Sequence, residues 1–98
     1  MRILPDPLTF QWDPGNRDKN FLKHSVSNTE IEEAFYDQKK KIFKDKIHSG
    51  KEERYRIIAK TNTSRLLFIV FTIRDTHVRI ISARDLNKKE EYLYEKKT

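Results

Sequence analysis

The chain of 98 residues carries 21 Lys and Arg against 15 Asp and Glu, a formal net charge of +6, and only 36% of its residues are hydrophobic. This composition fits a single domain spanning residues 1–98, and the absence of cysteine excludes disulfides and thiolate sites. No apolar run approaches the ~20 residues of a membrane span, and prolines interrupt the place where a secretory signal would have its apolar stretch. We therefore expect a cytoplasmic domain without a cofactor. Its net positive charge favours an anionic partner, with nucleic acid the first candidate, an acidic protein the second and a membrane surface the third.

The N-terminal region is predicted to contain a tail, a strand and a first helix. Residues 1–7 are expected to form a flexible tail, and residues 8–12 a short strand. Asp13 suits the N-cap of a helix, and Pro14 suits its first position because the N–H that proline lacks has no partner there. This helix is predicted to end near His24.

Two capping boxes predict the starts of two further helices. In the sequence Ser27-Asn28-Thr29-Glu30, the hydroxyl can accept from the amide three residues on while the carboxylate reaches back to the cap. Asn87-Lys88-Lys89-Glu90 repeats this arrangement with asparagine as the cap. The two helices are predicted to end near residues 37 and 96.

The region between these helices is predicted to be a sheet. Short connections join three of its segments, so they are expected to form an antiparallel meander. The predicted strands are residues 41–44, 54–61, 65–73 and 77–84. The sequence therefore predicts an α+β domain with a small antiparallel sheet of four to five strands, two N-terminal helices and one C-terminal helix.

Several short patterns follow one another along the chain in the order found in a known family. They are Phe10-Gln11-Trp12-Asp13, Asn20-Phe21-Leu22-Lys23-His24-Ser25-Val26, Glu53-Arg54-Tyr55, Arg79-Ile80-Ile81-Ser82-Ala83-Arg84, and Glu90 with Tyr94. Together, over roughly residues 10–95, they resemble the BrnT family of toxins from bacterial type II toxin–antitoxin modules. The resemblance implies a RelE-like ribonuclease domain that cuts RNA and inhibits translation. It also implies that a BrnA-like ribbon-helix-helix antitoxin neutralises the toxin. Operator DNA would then be bound by the antitoxin and not by the toxin itself.

The chain departs from this family in the first predicted helix. The family usually has a lysine near position 16, where this chain has Asn16 followed by Arg17. We therefore expect an RNA contact at Arg17. The departure also leaves open the alternative of a non-catalytic nucleic-acid-binding or partner-binding domain, such as a degenerate toxin.

Cleavage of RNA without a metal requires a base for the 2′-hydroxyl, charge stabilisation at phosphorus and an acid for the leaving oxygen. Lys23 and His24 are candidates for the proton-transfer groups. Because both lie at the predicted C-terminus of the first helix, they are equally suited to favourable interaction with the helix dipole, and the two interpretations stay open.

Arginines on the predicted sheet are the candidate phosphate-binding groups. Arg54 and Arg56 alternate with apolar residues, so they cannot belong to the core, and Arg54 also falls in a family motif. Arg54 is therefore a candidate for catalysis and Arg56 for RNA binding. The alternative is that Arg54 is a solvated charge beside Glu53 at the end of a strand.

The strand at residues 77–84 carries two further candidate catalytic arginines. Strand alternation puts Arg79 and Arg84 on opposite faces of this strand. For Arg79, an ion pair with Asp75 or a helix carboxylate is the alternative to phosphate support. Arg84 is the stronger candidate because it ends the strand and precedes the N-terminus of a helix, which favours anions.

One glutamate and a group of lysines complete the candidates. Glu90 either orients Arg84 or His24 for catalysis, or only completes the cap of the last helix. The lysines between residues 39 and 46 have three possible roles. They form a solvated edge strand, bind the RNA backbone through residues that include Lys41 and Lys44, or contact an acidic segment of the antitoxin. The run consists of Lys39, Lys40, Lys41, Lys44 and Lys46.

Overall fold

The computed structural model describes residues 3–13, 18–46, 50 and 52–96. Within these ranges, four consecutive strands follow two helices and precede a third, which confirms the α+β class. Their order is β1 (Phe10–Gln11), α1 (Lys19–His24), α2 (Asn28–Ala34), β2 (Lys41–Asp45), β3 (Arg54–Lys60), β4 (Leu66–Arg74), β5 (His77–Asp85) and α3 (Lys88–Glu95).

The strands form one sheet in the order β1-β5-β4-β3-β2. The four strands from β2 to β5 are antiparallel neighbours, and β3, β4 and β5 form the predicted meander. The prediction of a wholly antiparallel sheet is wrong, however, because β1 runs parallel to β5, with Phe10 opposite Val78. Turn length constrains only consecutive strands, whereas the direction of β1 depends on where the rest of the chain returns.

The main core lies between α2 and one face of the sheet. Ile31, Ala34 and Phe35 share one side of this helical segment and are buried. The ring of Phe35 meets the rings of Phe10 and Phe71 edge-on, with centroids 5.3 and 5.1 Å apart. One face of the sheet is therefore buried in the core beneath α2, and the opposite face does not contact α2.

A β-bulge interrupts the alternation of β5. Phe71 pairs with Ile80 while Val70 pairs with Ser82, so Ile81 is an extra residue on β5. The predicted faces are therefore wrong beyond Ile80. The extra residue brings Arg84 to the same face as Arg79, away from α2.

The first helix begins later than the sequence predicts. The predicted cap Asp13 is not helical and instead forms an ion pair with Arg79, and α1 begins at Lys19. Asp18 is the N-cap, with a left-handed backbone (φ 66°) and no side-chain capping bond. Pro14 lies outside the described residues. An ion pair between residues far apart in sequence thus replaces the expected local cap.

Helix α1 lies along the edge of β5 beyond the two residues that pair with β1. The side-chain carbonyl of Asn20 accepts a hydrogen bond of 2.9 Å from the backbone N–H of Ala83. Lys19 Nζ donates to the backbone carbonyl of Ile81 at 3.0 Å. Side chains of α1 therefore satisfy backbone groups that a neighbouring strand would otherwise pair.

The two predicted capping boxes are both present, at Ser27 with Glu30 and at Asn87 with Glu90. In each, the cap side chain accepts from the amide of the glutamate, and the glutamate accepts from the amide of the cap. None of the helices in the described part of the chain is long and apolar enough to cross a membrane.

The N-terminal segment packs on the domain where the sequence predicts a tail. Ile3, Leu4 and Leu8 are partly buried against the core. Their apolar side chains cover the margin of the core. The prolines between them interrupt any helical or strand periodicity, so the sequence pattern does not indicate this contact.

Candidate functional site

The face of the sheet opposite α2 carries most of the candidate cations, and we term it the arginine face. It is defined by Arg54, Arg56, Arg74, Arg79 and Arg84. The strand registers arrange its side chains in rows. Arg54 and Arg79 flank Thr72 in one row, two strand spacings or ~10 Å apart. Because the β5 bulge brings Arg84 to this face, the structure collects all the predicted sheet arginines there.

A cleft of about 260 Å³ opens at the Arg54 end of this face. Its described lining combines four cations with two carboxylates, a threonine and two isoleucines. These residues are Asp13, Lys19, Glu52, Arg54, Thr72, Arg74, Arg79, Ile80 and Ile81. The cleft is therefore a polar pocket with an excess of positive charge, suited to an anionic group.

Two arginines in the cleft are held by internal carboxylates. Arg79 is paired with Asp13, and the Arg79 side chain is only 25% exposed. Arg74 donates to both carboxylate oxygens of Glu52, at 2.7 and 3.1 Å, which lowers the pKa of Glu52. The carboxylate that partners Arg79 is thus Asp13 rather than the Asp75 or helix acid considered from sequence.

Two further groups shape the cleft. Thr72 is buried and donates its hydroxyl to the backbone carbonyl of Glu53 at 2.7 Å, which fixes the chain just before Arg54. Lys19 reaches the cleft from α1. Four residues of the cleft are not among the sites predicted from sequence: Lys19, Arg74, Glu52 and Asp13. Strand alternation from Thr72 indicates Arg74, but nothing local indicates the other three.

A second arrangement on the arginine face is centred on Arg84. Its guanidinium donates to both oxygens of Glu90, at 2.7 and 2.8 Å, and lies 4.2 Å from the centre of the Phe68 ring. The hydrogen bond from Arg84 lowers the pKa of Glu90. Glu90 therefore both completes the α3 cap and orients Arg84, so the two interpretations made from sequence hold together.

Arg56 lies between the two arginine sites in the same face. It is exposed and lines a small cleft of about 130 Å³ together with Phe43, Phe68 and Glu90. Among the described residues, no hydrogen bond or salt bridge engages Arg56, although its charge helps to lower the pKa of Glu90. Arg56 is thus available to an external anion.

The structure does not bring Lys23 and His24 into the cleft. Both are exposed at the last turn of α1, and the backbone carbonyl of His24 accepts from Arg65 at 3.2 Å. The charge of His24 contributes to the lowered pKa of Asp85 at the end of β5. These contacts agree with the helix-end interpretation made from sequence.

The predicted RNA-binding lysines are engaged within the protein. Lys41 Nζ donates to the backbone carbonyls of Leu93 and Lys96 at the end of α3, the first at 2.6 Å. Lys44 forms a salt bridge of 2.7 Å with Glu53. Arg17, also predicted to bind RNA, lies outside the described residues.

Arg65, which is not among the residues predicted from sequence, forms a network of ion pairs and hydrogen bonds. It forms salt bridges with Glu30 at 3.2 Å and Asp85 at 2.7 Å and also donates to the carbonyls of His24 and Ser25. The Arg65 hydrogen bond is the largest cause of the lowered pKa of Asp85. Arg65 therefore ties the α1–α2 junction to the end of β5.

Comparison with known proteins identifies one family. The family described as "Ribonuclease toxin, BrnT, of type II toxin-antitoxin system" matches residues 12–90. This range includes every described residue of the cleft and of the Arg84 arrangement. No curated protein matches the sequence.

Proposed function

The chain belongs to the BrnT family of ribonuclease toxins of type II toxin–antitoxin systems, and from this premise we propose that RNA binds on the arginine face and is cleaved at its cleft. The observation that carries this proposal is the row in which Arg54 and Arg79 flank Thr72 at the mouth of a cationic cleft. The proposed outcome is metal-independent endonucleolytic cleavage that inhibits translation.

The chemistry assigned to the arginines is charge stabilisation. Attack of a 2′-hydroxyl on the adjacent phosphorus adds negative charge to the phosphoryl oxygens, and the 5′-oxygen departs with its bond pair. Guanidinium groups already held in position stabilise that charge better than water molecules, which must reorient as the charge develops. Arg54 and Arg79 are suited to this because a guanidinium can donate two parallel hydrogen bonds to one phosphate.

Arg84, Glu90 and Arg56 are proposed to bind the rest of the RNA strand. Glu90 holds the Arg84 guanidinium in one orientation through two hydrogen bonds, and Phe68 supports its plane. The Arg84 side chain is 39% exposed, so the edge of its guanidinium that faces away from Glu90 can bind a phosphate. Arg56, in the intervening row, would contact the phosphate between the two sites.

Lys23 and His24 are proposed as the proton-transfer groups. Helix α1 runs along the edge of β5, and Lys19, which lines the cleft, is one helical turn before Lys23. Spacing by four residues gives Lys19 and Lys23 the same side of the helix. This role requires the scissile bond to lie at the α1 margin of the cleft, where Lys23 and then His24 follow Lys19 along the helix.

The fold and partners follow from the same premise. We propose that the α+β domain is of the RelE type and acts in the cytoplasm. We further propose that a BrnA-like ribbon-helix-helix antitoxin neutralises it and binds operator DNA on behalf of the complex.

Expression of arginine variants in a bacterial host tests the proposal. Arg54→Ala and Arg79→Ala should abolish growth arrest and RNA cleavage, whereas the exposed α3 variant Lys88→Ala should retain both. Cleavage that persists in both arginine variants would remove the cleft from the mechanism.

The chemical step is tested separately with purified protein and an RNA carrying a single 2′-deoxynucleotide at the mapped cleavage site. Attack by the 2′-hydroxyl predicts that this substrate is bound but left intact, and that normal substrate yields a 2′,3′-cyclic phosphate. RNA that is bound but never cleaved by the wild-type protein would favour the non-catalytic binding domain.

A further inference from the structure

Strand β2 forms an edge of the described sheet. Among the described strands, only β3 pairs with it, through the register from Lys41 opposite Ile58 to Asp45 opposite Arg54. The outer side of such a strand presents backbone N–H and C=O groups that another chain can pair with. At the other margin of the sheet, β1 pairs with Val78 and Arg79 of β5, and side chains of α1 engage the backbone of Ile81 and Ala83 further along β5.

An apolar groove borders β2 on the side of the core. The groove has a volume of about 630 Å³ and lies between the N-terminal segment and the start of β2. Tyr36, at its margin, is 64% exposed. Its apolar lining includes Ile3, Leu4, Leu8, Tyr36 and Ile42.

Apolar side chains are also exposed on the opposite side of β2. Phe43 is 38% exposed and Leu93 of α3 is 44% exposed, and both line the small cleft that contains Arg56. Successive residues of an added strand alternate between the two faces of a sheet. A strand paired with β2 would therefore bury some of its side chains in the groove and the others against Phe43 and Leu93.

The charge around this edge indicates the chemistry of the occupant. Lys39 and Lys46 are exposed before and after β2, and Lys40 lines the groove together with one carboxylate, that of Asp6. Lys41 and Lys44 are engaged within the protein, but their charges add to the same surface. Lysines on an edge strand also discourage self-association, but that role requires no exposed apolar side chains on both flanks.

We propose that β2 is the docking edge for an extended acidic segment of a protein partner, which adds to the sheet as a further strand. Main-chain hydrogen bonds to β2 supply affinity, the two apolar flanks select alternate side chains, and the lysines select acidic residues. The proposal rests on the proposed function in one respect, since it takes the cognate antitoxin as the partner.

Hydrogen exchange with the antitoxin as probe tests this surface. The product of the reading frame adjacent to the gene is purified and added to the wild-type protein, and amide exchange is followed by mass spectrometry. Slower exchange in residues 41–45 of the complex is expected. A complex that forms without protecting these residues would overturn the proposal.

Charge reversal provides a second measurement. The triple variant Lys39→Glu, Lys40→Glu and Lys46→Glu should weaken antitoxin binding about tenfold or more, and more strongly at low salt. The control Lys88→Glu with Lys89→Glu reverses two exposed lysines on α3 and should change binding less than twofold. Thermal unfolding checks that both variants fold.

The remaining outcomes separate other occupants of β2. Unchanged antitoxin binding with weakened RNA binding in the triple variant would assign these lysines to RNA and overturn the proposal. Self-association of the isolated protein that protects residues 41–45 would assign the edge to a second copy. Protection of β2 by the antitoxin, in a protein that fails to cleave RNA, would support the docking edge while refuting the proposed ribonuclease.

Discussion

Arg84 and Glu90 form a two-pronged ion pair that joins the end of β5 to the first turn of α3. The two hydrogen bonds measure 2.7 and 2.8 Å, and the Glu90 side chain is 15% exposed while that of Arg84 is 39% exposed. Glu90 also accepts from the backbone N–H of Asn87 at 3.0 Å. One carboxylate thus caps a helix and orients an arginine of the candidate RNA-binding face.

In the Glu90→Gln variant, the free energy of unfolding should vary less with pH in the acidic range than in the wild-type protein. Arg84 lowers the pKa of Glu90 below its ordinary value of 4.5, so the folded state favours the charged carboxylate. The stabilisation is complete above that ordinary value and is lost as pH falls through the lower folded pKa. We expect a loss of about 1 kcal/mol in unfolding free energy at neutral pH, and a smaller loss below pH ~4.

Urea unfolding between pH 3 and 7 measures this difference. The exposed neighbour provides the control, since the Glu91 carboxylate makes no hydrogen bond or salt bridge with the described residues and Glu91→Gln therefore removes no ion pair. Parallel stability curves for Glu90→Gln and the wild type would refute the assigned role of the pair.

Asp13→Asn and Glu52→Gln should strengthen RNA binding. These carboxylates hold Arg79 and Arg74 in the cleft, and a phosphate must compete with them for the same guanidinium groups. Each substitution removes one competing negative charge, so we expect a severalfold lower dissociation constant at low salt. Fluorescence anisotropy with a non-cleavable 2′-deoxy oligonucleotide measures it, and Glu95→Gln, on exposed α3, is the control. Weaker binding by both variants would contradict competition.

Arg65→Met should destabilise the protein by about 2–3 kcal/mol, because two carboxylates and two carbonyls lose their donor. Arg65→Lys should recover only part of this loss, since one ammonium cannot reproduce the planar fork. Thermal and urea unfolding distinguish the two variants. Equal stability of Arg65→Met and the wild type would show that the network contributes nothing net.

Tyr94→Phe should loosen α3 without unfolding the domain. The Tyr94 hydroxyl donates to Asp37 at 2.6 Å, and burial together with this bond raises the pKa of Tyr94. Loss of the bond is expected to cost about 1 kcal/mol and to accelerate amide exchange in residues 88–95. Exchange that accelerates equally across the sheet would indicate global destabilisation instead.

Local rules account for the elements that were predicted correctly. Both capping boxes depend on residues three apart, and the antiparallel meander depends on short connections, so a short window of sequence contains the necessary information. Burial of Ile31, Ala34 and Phe35 follows in the same way from helical spacing.

Long-range contacts account for the errors. Asp13 appears in sequence as a helix cap, but its partner is Arg79, 66 positions away. The extra residue Ile81 has no sequence signature, yet it moves Arg84 to the other face of β5. Lys19 and Glu52 join the cleft only because α1 and the segment before β3 meet the same end of the sheet.

The rate of RNA cleavage by the purified Arg54→Ala, Arg79→Ala double variant tests the central claim most directly. Under single-turnover conditions with saturating protein, the account predicts a rate at least about 10²-fold below that of the wild type. Thermal unfolding of the variant confirms that it is folded, and Lys88→Ala should cleave at the wild-type rate. Cleavage by the folded double variant within twofold of the wild-type rate would contradict the account.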